Sequence, residues 1–242
     1  MDDKLVSIGE AAELLGVSID TLRRWDNDGS FPSIKSPKGH RYYSRVQIEL
    51  YRNDLFSLAE KWAKGNSPAI PPDDFYCESQ TVFQSRLTKM ERLLEKEVTA
   101  LPWFSLIVAA TGEIGNNSFD HNIGNWPDVL GIFYGYDLKK KTLVLADRGR
   151  GVLTTLRQVR PGLENDSEAL HTAFTEVVSG RAPEARGNGL KYVKSIIDAY
   201  PLTLEFHSGN AIASIESKGE LVIRETDQYV RGCVAKISYS LI

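Results

Sequence analysis

The chain has 242 residues, 42% apolar and 25% charged, with a formal net charge of −3, which allows one large or two ordinary domains with real cores. That balance excludes a polybasic tail or a generic nucleic-acid-coating surface, so any DNA contact has to be local. Two distant cysteines, Cys77 and Cys233, exclude a zinc ribbon, and the lack of a secretory region or a long apolar run leads us to expect a soluble, reduced, cytoplasmic protein with no membrane partner.

In chain order, SIGEAAELLG comes first. Ser7 can cap a helix with Glu10 closing the capping box, and Ala11, Ala12, Leu14 and Leu15 supply a buried side. Gly16 ends that helix and Ser18 can cap a second, IDTLRRWDNDG, with Ile19, Leu22 and Trp25 inward and Thr21, Arg23 and Arg24 more exposed. The stretch FPSIKSPKGHRYYS, broken by Pro32, Pro37 and Gly39 and carrying Lys35, Lys38, His40 and Arg41, reads as a basic β-hairpin wing, after which Ser44 can cap a third helix. Between Thr21 and Arg52 there are seven basic side chains against three acidic ones, although residues 1–65 as a whole balance at ten each. Positive charge is therefore concentrated where a recognition helix and wing would lie.

These residues resemble the winged helix-turn-helix DNA-binding domain of the MerR family and of phage excisionases, above all AAELLGVSIDTLRRWDNDG followed by GHRYYS. The resemblance implies double-stranded DNA as a partner, with the second helix in the major groove and the wing on backbone. Thr21, Arg23 and Arg24 would lie near bases or phosphates, and Lys38, His40 and Arg41 on the flank. Trp25 and Tyr42 are expected in the core.

Residues 65–76 begin as GNSPAIPPDD, which is proline-rich and without apolar period, and so read as a linker between a domain at 1–64 and another at 77–242. Ser79 to Val98 has apolar residues recurring at three and four, as a helix does. Its stripe could serve a homodimer or pack on the second domain's own sheet.

An apolar run, Phe104–Ala110, leads into TGEIGNNSFDHN. If the helix continues, Glu113, Asn117 and either Asp120 or His121 share one stripe. A carboxylate there can deprotonate a water and an amide oxygen can complete the shell of a hard cation. Val129–Tyr136 and Thr142–Asp147 read as strands joined by the turn DLKKK. The second ends in VLADRGRG, an acid at a strand end followed by two glycines, and RGNGL at 186–190 puts two more glycines before an amphipathic helix bearing Leu190, Val193, Ile196, Ile197 and Tyr200. Glycines let a backbone approach a base or a phosphate, and helix N-termini attract phosphate. Strands are expected near 202–207, 211–217, 220–224 and 232–240.

The three segments in this order resemble the N box (Glu113, Asn117, Asp120 or His121), the DxGxG box (Asp147, Gly149, Gly151) and the GxGL box (Gly187, Gly189, Leu190) of the GHKL superfamily of ATP-binding domains. The expected fold is α+β: a mostly helical winged helix-turn-helix followed by an α/β sandwich of the GHKL, or Bergerat, type with one mixed sheet. The resemblance implies ATP and Mg²⁺ as ligands. It assigns Asp147 to the adenine amine, Gly149 and Gly151 to admitting the base, Asn117 to Mg²⁺, Glu113 to the general base, and Gly187, Asn188, Gly189 and Leu190 to the phosphates. Residues 151–186 would form a mobile lid from which Arg181 reaches the phosphates. The expected function is an ATP-binding, DNA-binding regulator whose nucleotide state controls DNA or partner binding. The alternative is an ATP hydrolase or an anti-sigma-type serine/threonine protein kinase targeted by its winged helix. Histidine autokinase chemistry is disfavoured, since the helix at 79–98 contains no histidine.

Overall fold

The computed structural model describes residues 5–29, 31–52, 54–66, 70–71, 75–97, 101–176 and 189–241. Contacts divide the chain into two compact units, Met1–Leu58 with a short piece at 72–74, and Ala59–Pro71 with Phe75–Ile242. This division falls near Leu58, earlier than the proline-rich stretch at 65–76.

The first unit contains β1 (Leu5–Ser7), α1 (Ile8–Leu15), α2 (Ile19–Asp28), β2 (Ile34–Lys35), β3 (Arg41–Ser44) and α3 (Arg45–Arg52). Its helices start where the caps lie in sequence. Ser7 Oγ accepts the Glu10 N–H at 3.3 Å, Ser18 Oγ that of Thr21 at 3.1 Å, and Ser44 Oγ that of Gln47 at 3.1 Å. Gly16 closes α1 in the left-handed region with φ 67°. The three strands form an antiparallel sheet in the order β1-β3-β2. Val6, Ala11, Ala12, Leu22, Phe31, Tyr43 and Ile48 make the core. Two expectations change here. Ile19 is 40% exposed, and the tyrosine in the core is Tyr43, whose hydroxyl donates to the Leu22 carbonyl at 3.2 Å, while Tyr42 is only half-buried because it points to the other side of β3.

The helix α4 (Leu55–Lys64), which the sequence pattern did not lead us to expect, is followed by β4 (Tyr76–Cys77), α5 (Gln80–Leu94), α6 (Phe104–Asn122), β5 (Ile132–Asp137), β6 (Thr142–Asp147), α7 (Gly151–Leu156), α8 (Asp166–Thr175), α9 (Gly189–Ala199), β7 (Leu202–Glu216) and β8 (Val222–Tyr239). The sheet, in order β4-β5-β6-β8-β7, is antiparallel throughout rather than mixed, because successive strands are joined as hairpins or through helices that return them antiparallel. The four short strands expected after residue 200 are two long ones. A bulge at Ser208 to Ala211, with Gly209 at φ 62°, bends β7 without ending it.

One face of this sheet carries Ile132, Tyr134, Leu143, Leu145, Ala235 and Ile237, which join the side chains of α5, α6, α8 and α9 in the main core. The stripe of α5 is spent there: Phe83, Leu87, Met90 and Leu94 are buried. Gly112 and Gly115 of α6 let α5 approach closely, since a Cβ at Gly112 would lie 3.2 Å from Leu87 and one at Gly115 would overlap the Phe83 ring. The stripe is thus buried within its own unit, which removes it as a dimer surface. On the other face Phe133, Val144, Ala146 and Val234 are also buried. There Phe75 stacks on Phe133 at 5.1 Å and Trp62 of α4 lies 6.4 Å from the same ring. Of the expected lid, 151–176 is ordered structure: Ala169, Leu170 and Phe174 of α8 are fully buried, with Phe174 edge-on to Phe206 at 5.6 Å. Residues 177–188 lie outside the described part.

Candidate nucleotide site and nucleic-acid interface

The helix α6 is where the separated motifs meet. Two i, i+4 pairs leave it in adjacent directions. Glu113 and Asn117 face the start of α9, and a Cβ added to Gly189 would fall 2.8 Å from Asn117 Nδ2 and nearer still to Glu113 Oε1. A Cβ there would push the ends of both side chains aside, so glycine keeps them in place beside the start of α9. Ser118 and Asn122 face the end of β6. The Ser118 hydroxyl donates to Asp147 Oδ2 at 2.8 Å, and Asn122 Oδ1 accepts the Arg150 N–H at 3.0 Å while its amide donates to the Ser118 carbonyl at 2.8 Å. Gly149 packs on the Asn122 side chain so closely that a Cβ would overlap it. The stretch Glu113–Asn122 of α6 therefore touches both the glycine turn after β6 and the start of α9.

Asp147 is 2% exposed. Its Oδ1 accepts the Gly149 N–H at 2.8 Å, and the Cys233 N–H also reaches the carboxyl. Burial pushes this carboxyl up to about 6, against the opposing pull of the Ser118 hydroxyl and the two N–H groups. A carboxylate offers about four lone-pair positions, so three donors leave room for one more. The floor of the turn is tight as well. Gly151 has φ 74°, and a Cβ there would sit 3.1 Å from Ser208 Oγ, whose hydroxyl donates to the Gly232 carbonyl at 2.9 Å and accepts the Val152 N–H at 3.0 Å. A Cβ on Gly232 would overlap Asp147 itself. Beside them, burial and the Asp147 charge push the Cys233 thiol well above its ordinary value, so it stays a neutral thiol.

The remaining expected ligand residues are less concentrated. Asp120 is half-buried and His121 exposed, the His121 carbonyl accepting from Arg150 at 2.8 Å. Leu190 packs against the core. Arg181, Gly187 and Asn188 lie outside the described residues. Among the described residues no group of three or more His, Cys, Asp and Glu side chains could hold a metal ion. What the site offers a hard cation is the Asn117 amide beside the Glu113 carboxylate.

The first unit presents a second candidate surface. Arg23 and Arg24 are exposed on α2, Arg23 paired with Asp20 at 2.9 Å across solvent, and Thr21 shares a hydrogen bond with Ser18 at 2.9 Å. Lys38 and His40 are exposed at the β2–β3 turn, which Gly39 makes with φ 80°. Arg41 is committed elsewhere: it donates to Asp26 at 2.6 Å and Asn27 at 3.2 Å, bracing the wing against α2. Burial acts to raise the Asp26 carboxyl, but Arg41, the Ser33 N–H and Lys35 at 3.3 Å outweigh it and hold the group well below the usual carboxylate range.

Sequence reasoning missed Ser118, Asn122, Asp26 and the pairing of Arg148 with Asp128. The spacing of Ser118 and Asn122 was itself a signal, repeating the i, i+4 step of Glu113 and Asn117 one residue on. Asp26 had none, since its partner lies fifteen residues away.

Among the comparisons with known proteins, the family match falls on the first unit. Residues 7–43 match the MerR family regulatory protein model, so the N-terminal part of the chain is a MerR-type helix-turn-helix domain. More particularly, the chain is 30% identical over 114 residues to the HTH-type transcriptional activator TipA of Streptomyces coelicolor and to that of Streptomyces lividans, covering 44% of this chain and 45% of each activator. It is also 35% identical over 57 residues to the type II methyltransferase M.Eco47II of Escherichia coli, 23% of this chain and 14% of that enzyme. The chain thus spans less than half the length of these relatives. Among the described residues no helix is long and apolar enough to cross a membrane.

Proposed function

We propose that the protein is a cytoplasmic transcriptional regulator whose first unit binds double-stranded DNA and whose second unit binds ATP with Mg²⁺ in a GHKL-type site, the nucleotide state controlling DNA or partner binding. The DNA half is supported by the MerR match and the exposed Arg23, Arg24, Lys38 and His40. The nucleotide half is carried by a single observation: α6 touches Gly189 through Glu113 and Asn117, and Asp147 and Gly149 through Ser118 and Asn122. Segments some eighty residues apart meet on one helix, and they supply the groups an adenine nucleotide needs.

The residues fit both ligands. Asp147 has an acceptor position left for an exocyclic amine and Asn117 with Glu113 is an oxygen donor set of the kind Mg²⁺ accepts, whereas the space beside Gly149 and Gly151 is filled by Asn122 and Ser208, so these glycines close the turn behind Asp147 rather than admit the base. A bound magnesium ion supplies charge neutralisation at phosphate oxygens. The chain's own residues would do the rest: Asp147 selects the base, Gly189 and Leu190, with Gly187, Asn188 and Arg181, hold the phosphates, and Glu113 removes a proton from water. Asp120 and His121 extend the same helix face. Control of DNA binding would follow from differential affinity of the nucleotide for two states of the chain, the second of them a homodimer or a complex with a partner protein.

The test is DNA affinity and oligomeric state with and without ATP and Mg²⁺. A change in either supports the regulator, and no change in both refutes it. The half-buried Glu113 carboxylate beside Asn117 favours one second reading, an ATP hydrolase or serine/threonine kinase. Labelled ATP separates these, because label on a protein substrate marks a kinase and free phosphate marks a hydrolase.

A further inference from the structure

Arg148 sits between the proposed base acceptor Asp147 and Gly149, yet its side chain turns away from them and is 4% exposed. All three nitrogens of its guanidinium donate hydrogen bonds. Nε donates to both Asp128 oxygens at 3.2 Å and Nη2 to Asp128 Oδ2 at 2.7 Å. Nη1 donates to the carbonyls of Trp62 at 2.6 Å, Ala63 at 3.3 Å and Gly65 at 2.8 Å. Those carbonyls belong to the C-terminal end of α4, where the last carbonyls of a helix lack partners within it and carry partial negative charge. The Trp62 ring lies 6.0 Å from the guanidinium carbon, and Arg231 also reaches Asp128. The Asp128 carboxyl is held well below the usual range, chiefly by Arg148.

We infer that Arg148 is a positioning residue that couples the base-reading turn to the end of α4, so that a nucleotide ordering the turn also tightens the C-terminal part of that helix. The inference rests on the nucleotide reading above. The geometry makes the coupling two-way. Three peptide carbonyls and one carboxylate hold a single rigid plane, and that plane's own backbone supplies the residue between Asp147 and Gly149. A shift of the α4 end therefore moves the turn, and fixing the turn fixes the α4 end. Lysine cannot reproduce this, since a point ammonium lacks the fork that serves both sides at once. The helix α4 begins at Leu55, just before the division between the two units, so the tightened segment is the one the chain uses to leave the first unit.

Hydrogen exchange on the full chain with ADP and Mg²⁺ tests this. In the wild-type chain ADP should slow exchange at 111–122 and, by about fivefold or more, at 59–65. Arg148→Lys, at saturating ADP, should keep the first effect and lose the second. Slowing at 111–122 without slowing at 59–65 in the wild type, or slowing at 59–65 that survives in Arg148→Lys, overturns the inference alone. If Arg148→Lys does not fold, Asp128→Asn takes its place: loss of the slowing at 59–65 with that at 111–122 retained supports the coupling, and its survival at 59–65 overturns it. No ADP-dependent change anywhere removes the nucleotide reading and this inference with it.

Discussion

Asp147→Asn is the substitution that bears most directly on the proposed site. The carboxyl is 2% exposed and already accepts from Ser118, Gly149 and the Cys233 backbone, leaving one position for a ligand amine. Replacing Oδ2 by an NH₂ group sets a donor against the Ser118 hydroxyl and against the amine. The lost charge-assisted bond is worth about 1.5–3 kcal/mol, so ADP affinity should fall about 10-fold to 150-fold. Calorimetric titration of ADP at neutral pH measures this, with circular dichroism confirming the fold. The pH dependence adds a second check. Because burial raises this carboxyl from 3.8 to about 6, the unfolded chain binds fewer protons than the native one between those values, and the contribution of the group to stability is full below 3.8 and lost as pH rises through 6. Nucleotide binding needs the ionised form and so should weaken below pH 6 in the wild type. Wild-type affinity in Asp147→Asn, or ADP binding that is flat from pH 7 to pH 5, would refute the assignment of Asp147 to the base.

Gly189→Ala should push the ends of the Glu113 and Asn117 side chains aside with little change in the unfolding midpoint, and weaken ADP binding about 10-fold or more by displacing both groups; unchanged ADP affinity would contradict their assignment to the nucleotide. Arg23→Ala with Arg24→Ala should weaken DNA binding and reduce the slope of log K against log salt by up to about 1.8, and an unchanged slope would point to a protein-binding surface. Asp26→Ala should leave Arg41 and Lys35 without their shared acceptor and destabilise the first unit by about 2 kcal/mol at neutral pH. Since that carboxyl is depressed, its stabilisation is present above 3.8 and lost as pH falls towards the native value, so the wild type and Asp26→Ala should converge in strong acid.

Local chemistry was legible in the sequence and long-range commitments were not. Ser7, Gly16, Ser18 and Ser44 announce helix ends because caps act within four residues, and each holds that role in the fold. Thr142–Asp147 was legible as a strand from its apolar run and turn. The bulge that keeps β7 continuous was not, because a glycine with positive φ looks like a strand end until its partner strand is known. The wing arginine shows the same limit: composition gives Arg41 a positive charge, but only the fold shows that Asp26 takes it up. In the candidate site the spacing put Glu113 and Asn117 on one side of a helix, whereas their meeting with Gly189 needed the fold, and Arg148 was indistinguishable from any solvated arginine in a glycine-rich turn.

The anchoring of Arg148 on Trp62, Ala63 and Gly65 also decides where the polypeptide can be cut. The proline-rich stretch invites dissection at residue 70 or so, but a C-terminal fragment starting there would strip Trp62 from Phe133 and leave part of a buried guanidinium unsatisfied, at about 1–3 kcal/mol for the missing partners alone. A fragment that retains Leu55 onward should melt several degrees higher and stay monodisperse, and equal melting of the two would mean that the intervening residues are dispensable.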